Sequence, residues 1–218
     1  MYLSKTPEIV KPLASDFLWS FPRDTKDIYL TFDDGPTPQI TGEILETLDQ
    51  FNAKATFFCI GGNVASNPGV YREMLRRGHA VGNHTWNHMS GWEYADFSYF
   101  RNVLECASIV ESNLFRPPYG RIKRSQARTL KKKFSLVMWD VLSGDWDKNI
   151  TREKCLKNVT GNARGGSIVV LHDSEKAYKN MSYILPRLLE FLSEQGYRFK
   201  RIHQAPAERR ALTNSALG

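Results

Sequence analysis

The sequence predicts a parallel α/β barrel, and three observations carry that prediction. Short apolar runs alternate with helix-period stripes along most of the chain. Strands that alternate with helices pair in parallel through βαβ crossovers. The polar residues with chemical potential lie at or just after the carboxyl ends of different strands. An open doubly wound sheet gathers its site at one switch point, whereas a barrel draws on most strands at its top. Asp33, Asp34, His84, Arg116, Asp145 and His172 are spread over the strand ends, which selects the barrel.

The 218 residues and 41% hydrophobic content suit one domain with a sizeable core. Residues 1–25 read as an extended N-terminal arm, because Pro7, Pro12 and Pro22 interrupt any helix. The folded domain is expected over 26–204, and the polar tail 205–218 is expected to fray. The predicted strands are Asp27–Phe32, Ala55–Cys59, His79–Gly82, Asn113–Arg116, Ser135–Asp140, Ser167–His172 and Tyr197–Ile202. Ile40, Ile44, Leu45, Leu48 and Phe51 form one helical stripe, and Phe100, Val103, Leu104, Ala107 and Val110 a second. Ile184, Leu185, Leu188, Leu189 and Leu192 form a third, with Pro186 expected in its first turn. Thr151 is placed to cap a helix beginning at Arg152.

Composition excludes several classes. A net charge of +7 is compatible with nucleic acid or an anionic polymer. The densest basic run, Lys131-Lys132-Lys133, has no interleaved aromatics to stack bases, so nucleic-acid binding is not expected. Three widely spaced cysteines do not make a disulfide framework, and Cys59 reads as a small buried hydrophobe. No run of 18 apolar residues is present, so no membrane span is expected. The first 19 residues lack an apolar signal-peptide core, which favours a cytoplasmic protein unless a leader has been removed. The default for oligomeric state is a monomer.

Five short motifs carry the chemistry. Thr31-Phe32-Asp33-Asp34-Gly35 ends a strand with two carboxylates and enters a turn. One carboxylate on a metal and one as a base is a reasonable division of labour. His84-Thr85-Trp86-Asn87-His88 places two of the five histidines at i and i+4, on one face if the segment is helical. Two histidines and one carboxylate leave open positions for water and substrate, and spacing alone leaves open which aspartate completes the set. Arg116-Pro117-Pro118-Tyr119-Gly120 is a stiff segment that can fix a backbone N–H for an oxyanion, while Arg116 can pair with a carboxylate. Asp145-Trp146 and Leu171-His172-Asp173 add a histidine at a strand end as a general acid, an acid to orient it, and two apolar groups for a small pocket.

In this order the five motifs resemble those of the polysaccharide deacetylase family, the NodB-homology domain or carbohydrate esterase family 4. The resemblance runs from Thr31 to Asp173, with barrel elements to about Ile202. It implies a distorted (β/α)7 barrel that releases acetate from N-acetylglucosamine units of peptidoglycan or chitin-type glycans. It implies one divalent metal, usually Zn²⁺ with Co²⁺, Mn²⁺ or Ni²⁺ accepted, held by Asp34, His84 and His88. It makes Asp33 the base that activates the metal-bound water and Arg116 the residue that holds that base. It implies that the Tyr119 N–H binds the oxyanion, that Asp145 tunes His172 as the acid for the leaving amine, and that Trp146 and Leu171 line the acetyl pocket. One departure matters: a D-x-x-D-W pattern is frequent in the family, but Leu142 stands three residues before Asp145, so Asp140 competes for the Asp145 role. The alternatives are an O-acetyl xylan esterase, a small-molecule amide hydrolase and a non-catalytic glycan-binding relative.

Overall fold

The structure is a computed structural model and describes residues 3–9 and 15–203. The expected fraying tail, 205–218, lies outside the described residues. The chain forms a curled, all-parallel sheet with helices packed around it. Its elements are β1 (Phe17–Leu18), β2 (Asp27–Asp33), α1 (Pro38–Gln50), β3 (Thr56–Cys59), α2 (Gly61–Ser66), α3 (Pro68–Arg76) and β4 (Ala80–Asn83). Then come α4 (Asp96–Ala107), β5 (Leu114–Phe115), a 3₁₀ turn (Pro118–Gly120), α5 (Arg124–Leu130), β6 (Ser135–Val137) and β7 (Val141–Leu142). The last elements are α6 (Arg152–Thr160), β8 (Ile168–His172), α7 (Glu175–Glu194) and β9 (Arg198–Phe199). The strand order is β1-β6-β5-β4-β3-β2-β8-β7, with β9 added to β2. This is the distorted barrel expected from the sequence. Among the described residues no helix is long and apolar enough to cross a membrane.

All seven predicted strands are present, and two short ones are new. The predicted strand Ser135–Asp140 divides. Its first half pairs with β5 and β1, and the chain then crosses to β8 as β7. The other addition is β1, in the arm. The described residues of the arm, 3–9 and 15–25, are built into the barrel. Phe17 and Leu18 pair with Leu136 and Val137, and single bridges join Ser20 to Ser167 and Lys5 to Val141. These contacts cover the seam between β6 and β7.

The helices follow their apolar stripes, with two corrections. Pro186 lies inside the 20-residue α7 and not in its first turn. A mid-helix proline costs about 3 kcal/mol. The flanking Met181, Ile184, Leu185, Leu188, Leu189 and Leu192 are almost wholly buried. Each such side chain gains about 1.5–3 kcal/mol from burial, enough to hold the helix through the break. In α4 the buried face is Tyr99, Asn102, Val103 and Cys106, whereas Leu104 is 51% exposed. The helix is rotated from the apolar stripe because Asn102 is needed inside, where its side chain accepts the Trp86 N–H at 2.9 Å. Thr151 caps α6, accepting the Lys154 N–H at 3.2 Å, as predicted. The three cysteines are buried and unpaired with one another.

Asp140 is the anchor of the arm. Its fully buried carboxylate accepts hydrogen bonds from Arg23 at 2.7 Å, the Ile168 N–H at 2.9 Å and Ser167 at 3.2 Å. Removing it leaves the Ile168 N–H without its acceptor and takes from Arg23 its shortest ion pair. Asp140→Ala is expected to cost about 1.5–3 kcal/mol, the range for lost hydrogen bonds to a charged group. Urea unfolding followed by circular dichroism measures this, and an unchanged midpoint rules out the anchoring role.

Candidate active site

The sequence motifs converge on a cleft of about 540 Å³ at the carboxyl end of the sheet. Asp33, Asp34, His84, His88, Tyr119, Trp146 and His172 line it. Arg116 and Asp145 lie directly behind and hold two of these residues in place. Leu171 does not belong to the cleft. Residues along a strand alternate sides, and with His172 turned inward Leu171 must face the helices, where it is fully buried in the main core. Val170 and Leu142 supply the apolar wall instead, with Trp139. Val170 was legible from strand alternation, two positions before His172. The cationic lining residues Arg121 and Lys176 carry no motif signal.

Asp33 is the last residue of β2, paired in register with His172 on β8 and Phe58 on β3. The Arg116 guanidinium donates to Asp33 Oδ1 at 2.7 Å. It also donates to Thr31 at 2.7 Å and to the carbonyls of Met138 at 2.9 Å and Val137 at 3.3 Å. Its carbon lies 4.1 Å from the centre of the Phe58 ring. Arg116 is wholly buried, and burial lowers its pKa against the pull of Asp33.

Asp34 turns away from Asp33 through a left-handed backbone, φ 88°. Among the described residues, Thr85 (φ 67°), His88 (φ 61°) and Tyr119 (φ 59°) share this conformation, and Asn52 is the only non-glycine outside the site that does. Such strain concentrates at functional sites and persists where the surroundings over-determine it. Here Asn83 Oδ1 accepts the Thr85 N–H at 2.9 Å, Thr85 Oγ1 accepts the Met89 N–H at 3.0 Å, and Asn102 holds Trp86. The histidine pair is therefore not on a helical turn. His84 follows β4 directly, and the chain doubles back through left-handed residues to bring His88 beside it.

Asp34, His84 and His88 each offer one ligand atom, all within 4.8 Å of one another. His88 Nε2 lies 3.3 Å and His84 Nε2 3.8 Å from Asp34 Oδ1. That oxygen is buried and takes no hydrogen bond from the described residues. His84 Nδ1 donates to the Arg116 carbonyl at 2.8 Å, leaving Nε2 as a lone-pair donor toward the site. Burial pushes His84 down to about 4, against Asp33 and Asp34, and lowers His88 as well. Burial raises Asp34, but His172, His84 and His88 outweigh it and the net shift is downward. Neutral imidazoles and an ionised carboxylate are the states that bind a divalent ion, so the residues fit one.

His172 is in the opposite state. Asp145 Oδ1 accepts from Nδ1 at 2.8 Å, and Oδ2 accepts the His172 N–H at 2.8 Å. Burial disfavours the charged ring, but Asp145, with Asp34 and Asp33 beyond it, raises its pKa to about 9. Asp140 makes no such contact. Asp173, next in sequence, does not orient the ring either. It accepts the Gly35 N–H at 2.8 Å and the Thr41 hydroxyl at 2.7 Å.

The polysaccharide deacetylase family model matches residues 21–138. A peptidoglycan-N-acetylglucosamine deacetylase of Bacillus cereus is 36% identical over 189 residues, covering 83% of this chain and 88% of the relative. The chain belongs to the polysaccharide deacetylase family. A peptidoglycan-N-acetylmuramic acid deacetylase, PdaC of Bacillus subtilis, is 32% identical over 82% of this chain and 38% of its own length. A crystal structure of the Bc1960 peptidoglycan N-acetylglucosamine deacetylase superposes with a TM-score of 0.83 at 29% identity, covering 90% of this chain and 95% of that one. The curled parallel barrel is thus the fold of this deacetylase family.

A ligand that binds only the folded state stabilises it, by about 2.7 kcal/mol at a hundredfold excess over Kd. A divalent ion titrated into the chelator-treated protein is expected to bind once per chain and raise Tm. His84→Ala should lose both effects. Equal stabilisation of variant and wild type would place the ion elsewhere.

Proposed function

We propose that this chain is a metal-dependent deacetylase that hydrolyses the N-acetyl group of N-acetylglucosamine units in a glycan, peptidoglycan or a chitin-type oligosaccharide. One observation carries the reading. A carboxylate and a protonated imidazole, Asp33 and His172, stand in register on neighbouring strands beside an Asp-His-His cluster. Amide hydrolysis needs those parts: an activated water, a polarised carbonyl and a proton for the departing amine. The names of the Bacillus relatives point to the same bond.

Asp34, His84 and His88 would hold the ion, with Zn²⁺ the expected metal. Such an ion, when bound, polarises a carbonyl and lowers the pKa of water toward about 7. The chain's residues supply the rest. Asp33, pinned through Oδ1 by Arg116, faces the cleft and accepts the proton of the attacking water. Water oxygen joins the acetyl carbon, and the carbonyl oxygen gains charge beside the Tyr119 backbone N–H. The C–N bond then breaks. His172, with Nδ1 engaged by Asp145, presents Nε2–H to the cleft and gives that proton to the leaving nitrogen. Acetate and the free amine are the products. Trp146, edge-on to His172 at 4.9 Å, together with Leu142 and Val170, forms the wall for the acetyl methyl.

Acetate release from N-acetylglucosamine oligomers by the metal-loaded protein tests the proposal. Asp33→Asn keeps an acceptor for Arg116 but loses the base, and should lower kcat by about 10²–10⁴-fold with metal still bound. Full activity in that variant would remove Asp33 from the mechanism. The acid form of His172 persists through neutral pH and is lost as pH rises through about 9, so activity should fall there. Asp145→Asn removes the strongest upward pull, and the alkaline limb should move to lower pH. A limb that stays in place would assign it to another group.

A further inference from the structure

Three exposed side chains form a continuous platform beside the cleft. Tyr119 and Arg121 line the cleft itself. The Arg121 guanidinium lies 5.7 Å from the Tyr119 ring centre and 5.4 Å from that of Trp92. Both rings remain open to solvent, Tyr119 at 61% and Trp92 at 60% exposed. On its inner side Tyr119 stands edge-on to His88 with ring centres 4.5 Å apart, and its hydroxyl reaches His88 Nδ1 at 3.1 Å. The surface therefore runs unbroken from a candidate metal ligand to the rim.

The fold holds this surface rigid. Trp92 Nε1 donates to the Ile122 carbonyl at 3.2 Å, and the Gly91 N–H donates to the Arg121 carbonyl at 3.1 Å. Gln126 Nε2 donates to the Gly91 carbonyl at 2.9 Å. A Cβ on Gly91 would stand 2.5 Å from Gln126 Oε1, so the loop closes on a residue with no side chain. Both loops are stitched together before any ligand arrives, and preorganisation of this kind lowers the ordering cost of binding.

A pyranose has apolar C–H faces edged by hydroxyls, so a sugar next to the one being deacetylated can stack on an open aromatic ring. A neutral glycan requires no cation there. Arg121 nonetheless stands between the rings, and Lys176 adds a second cation to the cleft lining. Glu93 is the ion-pair partner of Arg121, at 3.7 Å with both side chains about half exposed or more. Such a pair is weakly held and exchangeable. A guanidinium stacked on aromatic faces is well suited to receive a carboxylate. Resting on the deacetylase reading above, we propose that Tyr119, Arg121 and Trp92 form a subsite for a carboxylate-bearing sugar adjacent to the acetylated unit. The chain then prefers anionic over neutral N-acetylated glycans.

Calorimetric binding to the Asp33→Asn protein tests the subsite without turnover. Three oligomers of equal length serve as probes: N-acetylglucosamine alone, one whose alternate sugars carry a carboxylate ether, and the latter with each carboxylate amidated. The acid form is expected to bind about tenfold more tightly than the other two at low salt, the gain of a charge-assisted contact. Added salt should shrink that advantage, and Arg121→Gln should remove it. Trp92→Ala should weaken all three. Equal binding of acid and amide, or an unchanged preference in Arg121→Gln, would overturn the subsite. Failure of the deacetylase reading is separately visible, as no acetate released from any of the three by the metal-loaded wild type.

Discussion

The buried pair between Arg116 and Asp33 is the constraint on which the rest of the site depends. A guanidinium wholly removed from water is tolerated only if its donors are satisfied and its charge is compensated. Here Asp33, Thr31 and the carbonyls of Val137 and Met138 satisfy it, and the Phe58 ring covers one face. These demands reach well beyond the site. The strand predicted over Ser135–Asp140 divides where its carbonyls turn inward to Arg116. Phe58 lies flat only because its register partner is Gly82, where a Cβ would stand 2.5 Å from the ring. A buried ion pair of this kind is costly to break, about 3–5 kcal/mol when one partner is lost. What it secures is position: a carboxylate fixed through one oxygen at the end of a strand, facing the cleft.

The same few ångströms contain histidines in two protonation states, and the group at Nδ1 decides which. His84 Nδ1 meets a backbone carbonyl, which carries no net charge, so burial governs and the ring stays neutral. His172 Nδ1 meets the Asp145 carboxylate, and that charge overrides the effect of burial. A neutral imidazole is a metal ligand and an imidazolium is an acid. Environments that push titratable groups apart are how one cleft runs both chemistries near neutral pH. The order of strands makes this possible, since the neutral pair follows β4 and the charged ring ends β8, with β2, which ends at Asp33 and leads into Asp34, between them.

Much of this was legible in the sequence, and the failures have physical causes. The strands were readable because buried parallel strands are continuous apolar runs. Asp33, Asp34, His84 and His172 were readable as motif residues at or after strand ends, whereas the choice of Asp34 as the partner of the two histidines came from the family resemblance and not from spacing. Three features were hidden. Left-handed residues at Thr85 and His88 cannot be seen in a pattern that also fits a helical turn. Asn102 is polar and was left out of its helix's inner face, although it is buried to hold the histidine loop. Leu171 was placed on the cleft by motif and removed from it by alternation, a rule available at the outset. Short strands such as β1 and β7 carry too few residues to show any period.

Two motifs that looked separate are halves of one turn. Asp34 reaches the histidines only because the chain reverses after Asp33, and that reversal rests on Asp173, over a hundred positions later. Asp173 Oδ1 takes the Gly35 N–H, and Oδ2 takes the Thr41 hydroxyl, which itself accepts the Thr37 N–H. The carboxylate sits so close that a Cβ on Gly35 would fall 1.8 Å from Oδ2. Glycine is thus required at 35 for space, although its φ is not in the left-handed region. Burial pushes Asp173 up to about 7, opposed by the hydrogen bonds it accepts. The turn is held from its other side as well, where Asn63 Nδ2 donates to the Asp34 carbonyl at 2.7 Å and the Ile60 N–H to the Gly35 carbonyl at 3.0 Å. The aspartate after the histidine therefore serves the Asp-His-His side of the cleft, and the aspartate 28 positions before it in sequence, Asp145, serves His172. The order of the motifs along the chain does not match the pairing of their functions. The pairing follows the strand register, in which His172 ends β8 opposite Asp33 and Asp173 follows directly after the strand.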